Sequence, residues 1–304
     1  MPADASARWP LPARYDFVET TRLLRTGPRD PTLRREPDGL WRTAHTVEGP
    51  ATVRLTLGDD VRAEAWGPGA AAVLPDVPRW IGVHEEPWVL APHPVTDRLL
   101  TRHRGLRSTD TRDVFEALVH TVLHQLVTWE EAANNWRRLC LALGEPAPGP
   151  VALRLSPTPR AIRAAGTLPL EAAGIGGRQA RTLVDIARVA HAVRRVEHLP
   201  TDAAADLLHK VRGIGPWTSA TALGMRLGRP DPIPLFDFHL PNTVAWALAG
   251  EPRADDARMV ALLEPFGTQA FRVIRLLMAA RIEAPKRGPR FAWRGRGRDT
   301  GRVR

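Results

Sequence analysis

The chain has 304 residues, a formal net charge of +10 and a pI near 11.2, and nearly all of its basic residues are arginines. Its single cysteine, Cys140, excludes an internal disulfide and an iron–sulfur cluster held by four cysteines. No segment is apolar for long enough to cross a membrane or to act as a signal peptide, so we expect a soluble, cytoplasmic protein. The excess positive charge suits a polyanionic partner, although an arginine-rich proteome would produce the same bias.

The first third of the chain has the pattern of β-strands. Residues 40–44, 51–57 and 61–66 alternate apolar and polar side chains, as half-buried strands do. The turn sequences Pro-Asp-Gly, Glu-Gly-Pro and Gly-Asp-Asp separate these segments. We therefore predict an antiparallel sheet in an N-terminal domain, residues 1–104, that serves as a structural platform.

From residue 105 onward the pattern becomes helical. Residues 111–143, 157–165 and 178–193 are predicted helices, joined by Pro-rich or Gly-rich segments. The predicted fold is α+β and mainly α: the sheet layer precedes an all-helical core of two lobes around a cleft, residues 105–285. Residues 286–304 are basic and glycine-rich, which predicts a disordered tail. This tail either adds salt-sensitive DNA affinity or has no role.

A glycine hairpin joins two of the predicted helices. The first helix ends near Val211, and Arg212-Gly213-Ile214-Gly215-Pro216 interrupts the pattern before a second helix over about 217–227. Gly213 and Gly215 permit positive φ and leave backbone N–H groups open, and Pro216 suits the first turn of a helix. Open amides at a helix N-terminus form a site for one anionic oxygen, such as a DNA phosphate.

A single aspartate follows the second hairpin helix. The proline-rich loop 228–234 leads to Asp237, and a further helix follows and ends at Gly250. This spacing predicts that Asp237 is an N-cap residue. A cap needs no chemistry, but a carboxylate held at a helix N-terminus also stays ionised and in place.

The hairpin, the Trp217-Thr218 pair, the proline loop and Asp237 together resemble the helix-hairpin-helix (HhH-GPD) DNA glycosylase superfamily, specifically its 3-methyladenine DNA glycosylase II type. Residues 122–128, Val-Leu-His-Gln-Leu-Val-Thr, are similar to the family's Gln-Leu-Val-Ser type segment, and residues 264–277 look like its final helix. The resemblance covers residues 105–282 well. It implies a monomeric, nucleoid-associated enzyme of base excision repair that acts on double-stranded DNA, and it implies an N-terminal sheet layer.

The resemblance also implies a reaction. Asp237 matches the family's catalytic carboxylate, which stabilises the oxocarbenium-like sugar formed as the N-glycosidic bond breaks. In bifunctional relatives, a lysine that forms a Schiff base occupies the position of Trp217. Tryptophan cannot attack the sugar, so we expect a monofunctional hydrolase without lyase activity. Trp217 and Thr221 are the expected pocket residues, and an aromatic face at Trp217 favours a cationic, alkylated base such as 3-methyladenine or 7-methylguanine.

DNA contacts follow from the same resemblance. They are expected at the hairpin, through Arg212, Gly213, Ile214, Gly215 and Thr218, and at the Gln-Leu segment, through Gln125 and Leu126. Leu126 matches the apolar wedge that fills the space left by a flipped base. A core leucine is the other interpretation of that residue. The carbonyl groups of His209, Val211 and Ile214 are the expected ligands of a monovalent cation, Na⁺ or K⁺, and no cofactor is required.

Three positions depart from the family pattern. Arg212 replaces the usual hairpin proline, Thr221 replaces an aromatic residue, and Arg275 lies near the position of a pocket tryptophan in some relatives. These departures predict a less aromatic pocket and leave the excised base open. Two alternatives therefore remain: a non-catalytic DNA-binding or lesion-sensing protein, and a glycosylase for deaminated or oxidised bases.

Overall fold

A computed structural model describes residues 1–285, and the predicted basic tail lies outside the described residues. The N-terminal layer is a five-stranded antiparallel sheet with the strand order β1-β5-β4-β3-β2. Its strands are β1 Ala5–Pro10, β2 Leu33–Glu36, β3 Gly39–Thr46, β4 Gly49–Leu57 and β5 Asp60–Trp66. The predicted fold class, a sheet layer followed by helices, is confirmed.

The alternation in the sequence determines which face of the sheet is buried. Val53 and Leu55 of β4 and Val61 and Ala63 of β5 are fully buried and pack together in the core under the sheet. Strand β1 was not predicted. It lies at an edge, and its short alternation rests on two alanines and Trp9, none of them fully buried, so its sequence signal is weak.

Helices form the rest of the described chain. They are α1 Phe17–Thr20, α2 Ala70–Val73, α3 Val77–Ile81, α4 Pro94–Arg102, α5 Val114–Leu123, α6 Trp129–Leu143, α7 Pro159–Ala165, α8 Thr167–Ala172, α9 Gly177–Arg188, α10 Ala190–Val193, α11 Thr201–His209, α12 Pro216–Met225, α13 Leu240–Ala249, α14 Asp256–Leu263 and α15 Ala270–Ala279. Short 3₁₀ segments occur at Thr21–Leu24, Leu74–Asp76, Arg194–His198 and Glu264–Gln269. The predicted helix 111–143 is in fact two helices, α5 and α6, separated by residues 124–128.

The helices bury two separate cores. One contains residues of α5, α6, α9, α11 and α12 around the fully buried Trp136. The other joins α13, α14 and α15 to residues 88–106, with Trp88 and Phe271 inside it. The two lobes meet closely at Gly224 of α12, where an added Cβ would lie 2.4 Å from the Phe271 ring. Only glycine fits at this contact, because any side chain would collide with the ring.

A buried ion pair joins the sheet to the first lobe. Arg42 of β3 reaches Glu116 of α5 at 3.2 Å, and the guanidinium carbon of Arg42 lies 4.2 Å from the centre of the Trp80 ring. Asp113 caps α5 by accepting from the Glu116 amide at 2.8 Å. The sheet thus holds the start of α5, whose end carries the Gln-Leu segment.

Within residues 1–285, no helix is long and apolar enough to cross a membrane.

Candidate active site

The hairpin lies between α11 and α12, as predicted. Its first glycine, Gly213, has φ +88°, and a Cβ there would lie 2.1 Å from the Thr182 hydroxyl oxygen. The backbone conformation and the close approach of α9 therefore both require glycine.

We expect the Gly213→Ala variant to lose about 1–3 kcal/mol of unfolding free energy, because alanine is strained at positive φ and would also collide with Thr182. Its affinity for duplex DNA should also fall, since the hairpin amides would move. Gly250→Ala is the matched control: Gly250 has φ +71° and no neighbouring atom within 4 Å of an added Cβ. Urea unfolding and fluorescence anisotropy with a labelled duplex measure the two effects. Equal DNA affinity in both variants would contradict a hairpin contact.

Some backbone amides of the hairpin donate a hydrogen bond within the protein, and others do not. The Ile214 amide donates to the Val211 carbonyl at 3.1 Å, and the Ile214 side chain is buried. The Ile214 N–H is thus used inside the turn, and the expected contact of Ile214 with DNA stays a prediction. The amides of Gly213 and Gly215 have no acceptor in the described part of the chain. Arg212 is exposed and, among the described residues, forms no ion pair.

Gln125 connects the end of α5 to the hairpin. Its side-chain amide donates to the Gly213 carbonyl at 2.9 Å and to the Thr218 hydroxyl at 2.8 Å. Its backbone carbonyl accepts from the Gln179 side chain at 2.9 Å. The Thr218 side chain is buried, and its hydroxyl accepts from Gln125, so Gln125 positions the hairpin. The expected DNA contacts of Gln125 and Thr218 stay predictions.

Leu126 stands out from the surface next to Gln125. Its side chain is 87 % exposed, and its backbone has φ +57°, a conformation that leucine rarely adopts. The interpretation of Leu126 as a core leucine is therefore wrong. An apolar side chain held in water on a strained backbone is typical of a functional contact.

Asp237 is held from three directions. The Trp217 indole N–H donates to Oδ2 at 2.7 Å, and the backbone amides of His239 and Leu240 donate to Oδ1 at 2.8 Å each. Helix α13 begins at Leu240, so its N-cap is His239, and the prediction of Asp237 as N-cap is corrected. The carboxylate still satisfies amides of the helix start, because the chain turns at Phe236, which has φ +66°.

Asp237, Trp217 and Thr221 line one cavity of about 680 Å³. Two aromatic residues that the sequence analysis did not assign to the pocket, Trp129 and Phe271, also line it. Arg275, expected near the pocket, lies outside this lining. Arg275 belongs to α15 and is buried, and desolvation lowers its pKa to about 10. The pocket therefore contains more aromatic surface than the departures at Thr221 and Arg275 predicted.

Buried polar side chains form another wall of the cavity. The Arg226 guanidinium donates to the Leu24 carbonyl at 3.1 Å and to the Thr26 hydroxyl at 2.8 Å. The same hydroxyl lies 3.0 Å from Nδ1 of His120. Burial, with the charge of Arg226, lowers the pKa of His120 well below its usual value, so this histidine is neutral at pH 7. Sequence analysis missed this wall because Thr26 and Arg226 are 200 residues apart in the chain.

Two exposed aromatic residues flank Asp237. The side chains of Phe236 and Phe238 are 75 % and 86 % exposed. The Phe236 amide donates to the Asp256 carboxylate at 2.9 Å, which holds this loop against α14. The sequence signal for these residues is their type: two phenylalanines beside a polar loop and a catalytic candidate are unusual on a surface.

The carbonyl groups proposed for a cation lie together in the hairpin. The Val211 carbonyl accepts from Ile214, whereas those of His209 and Ile214 have no backbone donor in residues 1–285. Carbonyl oxygens left open at a helix end are suitable ligands for a monovalent cation. Over the same residues, no group of three or more His, Cys, Asp or Glu side chains is arranged to hold a metal ion.

No protein-family model matches the chain. A curated Bacillus subtilis protein, "Putative DNA-3-methyladenine glycosylase YfjP", is 28 % identical over 150 residues, which are 48 % of this chain and 51 % of the relative. The chain thus matches about half the length of this relative.

Solved structures establish the fold. A 3-methyladenine DNA glycosylase from Archaeoglobus fulgidus superposes with a TM-score of 0.77 at 20 % identity, over 89 % of this chain and 96 % of that one. An 8-oxoguanine glycosylase/lyase from Clostridium acetobutylicum, in complex with double-stranded DNA, gives 0.68 at 13 % identity, over 92 % and 98 % of the two chains. The chain therefore has the fold of these solved glycosylase structures, and it shares a matching stretch of 150 residues with the curated relative.

Proposed function

We propose that this protein is a monofunctional DNA glycosylase of base excision repair. In this proposal it binds double-stranded DNA as a monomer, flips an alkylated base of the 3-methyladenine or 7-methylguanine type into the cavity, and hydrolyses the N-glycosidic bond. One observation carries the proposal: the Asp237 carboxylate is fixed by three donors at the wall of a base-sized cavity, close in the chain to a phosphate-binding hairpin.

The three donors explain how Asp237 acts. They hold the carboxylate in one orientation, so its charge is already positioned when the sugar becomes positive. The bond between C1′ and the base nitrogen breaks, and its electron pair leaves with the base. Water then adds to C1′, loses a proton, and leaves an abasic site. Alkylation at a ring nitrogen makes the base cationic, so it leaves as a neutral molecule without a general acid.

Hydrolysis without strand cleavage is supported by the position of the amines. A lyase needs an amine that forms a Schiff base with the sugar. Lys210 is the only lysine in residues 1–285, and it does not line the cavity. The indole N–H of Trp217 is already donated to Asp237.

The alternative of a neutral deaminated or oxidised base also has an observation in its favour. Arg22, Arg25, Arg253 and Arg281 line the cavity, and their charges disfavour a cationic base. The aromatic faces of Trp129, Trp217 and Phe271 favour a cationic base. We give the aromatic faces more weight, because these four arginines are at least partly exposed and screened by water, and the buried Arg226 is hydrogen-bonded to Leu24 and Thr26.

A base-release assay tests the proposed function. The protein is incubated with duplexes that carry 7-methylguanine, 3-methyladenine, hypoxanthine or uracil, and the free base is measured by chromatography. We expect release of the alkylated bases and strand breaks only after alkali. Strand cleavage without alkali would overturn the monofunctional mechanism. DNA binding with no base release from any duplex would contradict the proposed activity and would favour a lesion-sensing protein.

We expect the Leu126→Ala variant to release an alkylated base about tenfold more slowly, because alanine is too short to fill the space left by a flipped base. Stopped-flow fluorescence of 2-aminopurine beside the lesion should show a smaller unstacking signal. The matched control is Leu168→Ala, which removes a leucine that is 76 % exposed on α8. Both variants should keep their unfolding free energy within about 0.5 kcal/mol, since neither side chain is buried. An unchanged fluorescence signal in Leu126→Ala would exclude the wedge.

The hairpin is the proposed phosphate site. The open amides of Gly213 and Gly215 and the side chain of Arg212 would contact the backbone of the damaged strand. A Na⁺ or K⁺ ion held by the carbonyls of His209, Val211 and Ile214 would add positive charge beside that phosphate.

A further inference from the structure

His124 lies at the end of α5, directly before Gln125, and it lines the same cavity as Asp237 and Trp217. Its ring nitrogen Nδ1 is 2.8 Å from the carbonyl oxygen of His120. A carbonyl oxygen only accepts hydrogen bonds, so Nδ1 must carry the proton and donate it. In the neutral ring, the other nitrogen, Nε2, is then a pure acceptor with a free lone pair.

The environment of His124 keeps this ring neutral. Burial, assisted by the charge of Arg226, lowers the pKa of His124 below its usual value. Below pH 7, then, the ring holds its lone pair on Nε2 longer than an exposed histidine would. Over residues 1–285, Nε2 of His124 has no hydrogen-bond partner.

Neighbouring polar groups on this wall are already engaged. The Thr121 hydroxyl donates to the Ala117 carbonyl at 2.8 Å, and Arg226 donates to Leu24 and Thr26. The His120 ring nitrogen Nδ1 faces Thr26. The cavity lining therefore includes a residue, His124, with an acceptor nitrogen that has no partner in residues 1–285.

We infer that His124 is a specificity-determining residue that accepts a hydrogen bond from an exocyclic amino group on the flipped base. An amine at C6 of a purine donates a hydrogen bond to this lone pair. A carbonyl at C6 is itself an acceptor, so it cannot form that hydrogen bond and is repelled by the lone pair. The cavity therefore prefers adenine-type bases to hypoxanthine-type bases. This inference rests on the proposed function only in that a base enters the cavity, and it assigns the class of base.

Equilibrium binding tests the inference without any catalysis. Two duplexes differ in one group: the first carries 3-deaza-3-methyladenine, and the second carries its counterpart with a C6 carbonyl in place of the amine. Removing the ring nitrogen makes the glycosidic bond stable, so both duplexes remain intact. Fluorescence anisotropy should show that the wild-type protein binds the amine duplex about tenfold more tightly, which is the size of one hydrogen bond.

Four variants complete the test. His124→Leu and His124→Phe lack the acceptor and should bind the two duplexes equally, through weaker binding of the amine duplex. His124→Gln keeps an acceptor oxygen and should retain a preference. His191→Leu, which removes an exposed histidine on α10, should retain the full preference. Circular dichroism melting shows which variants fold. Two apolar replacements are used so that the test can still be made if one of these variants does not fold.

The outcomes separate this inference from the proposed function. Equal binding of both duplexes by the wild-type protein, or a full preference in a folded His124→Leu or His124→Phe variant, would overturn the role of His124. Base release together with equal binding of the two duplexes would support the glycosylase activity and contradict only the role of His124. Tighter binding of the amine duplex without base release from any duplex would support the role of His124 and contradict the proposed glycosylase activity.

Discussion

Replacing Asp237 by asparagine is expected to slow base release by about a hundredfold or more, because the developing positive charge on the sugar would lose an oriented counter-charge. The structure adds a second effect. Both carboxylate oxygens accept hydrogen bonds, Oδ2 from Trp217 and Oδ1 from the amides of His239 and Leu240. Asparagine has one acceptor oxygen, so in either orientation its NH₂ group must face a donor.

A matched set of variants separates charge from hydrogen bonding. Trp217→Phe keeps the carboxylate and an aromatic face but removes the indole N–H, so we expect a smaller loss of rate, about tenfold. Trp217→Phe combined with Asp237→Asn removes the donor clash and should remain as slow as Asp237→Asn alone. Asp206→Asn, on the exposed face of α11, should have the wild-type rate. Single-turnover release of 3-methyladenine measures these rates. A double variant that recovers activity would show that the carboxylate charge is not the catalytic feature.

Replacing Arg42 by alanine is expected to lower the free energy of unfolding by about 3–5 kcal/mol, because it leaves Glu116 buried without its cation. The two side chains are 6 % and 10 % exposed, and they join the sheet to the first helical lobe. The exposed counterpart is Arg54 on β4, whose side chain is 33 % exposed beside Glu36 and Asp38. Arg54→Ala should cost less than about 1 kcal/mol.

Urea unfolding followed by tryptophan fluorescence measures both variants. The combined variant Arg42→Met/Glu116→Leu should recover much of the loss, because apolar side chains of similar size avoid the unpaired buried charge. A cost below about 1 kcal/mol for Arg42→Ala would mean that water reaches Glu116 and that this junction does not hold the two layers together.

Local patterns were sufficient to predict several of the strands, the hairpin and a candidate catalytic residue. The alternation in residues 51–57 and 61–66 predicted β4 and β5, because strand periodicity depends only on which neighbours share a face. The Gly-x-Gly turn predicted the hairpin because positive φ is a property of one residue. The spacing from Trp217 to Asp237 brought the candidate site into one short segment.

Sequence analysis was wrong where the outcome depended on distant contacts. The predicted helix 111–143 breaks at residues 124–128, although its composition continues across the break. There Gln125 binds the hairpin and Gln179 binds the Gln125 carbonyl, and these bonds replace those of a continuing helix. The same break exposes Leu126, which a helical pattern had placed equally well in the core.

The sequence by itself therefore determined the class of fold, the hairpin and the candidate carboxylate, because each depends on residue type and short spacing. Only the tertiary structure decided what each polar side chain does, because a hydrogen-bond partner can lie anywhere in the chain. It showed that the Gln125 side chain bonds to the Gly213 carbonyl and the Thr218 hydroxyl of the hairpin. It gave Trp217 a donor role toward Asp237. It also brought Arg226 beside Thr26 and placed His120 and His124 in the lining of the same cavity.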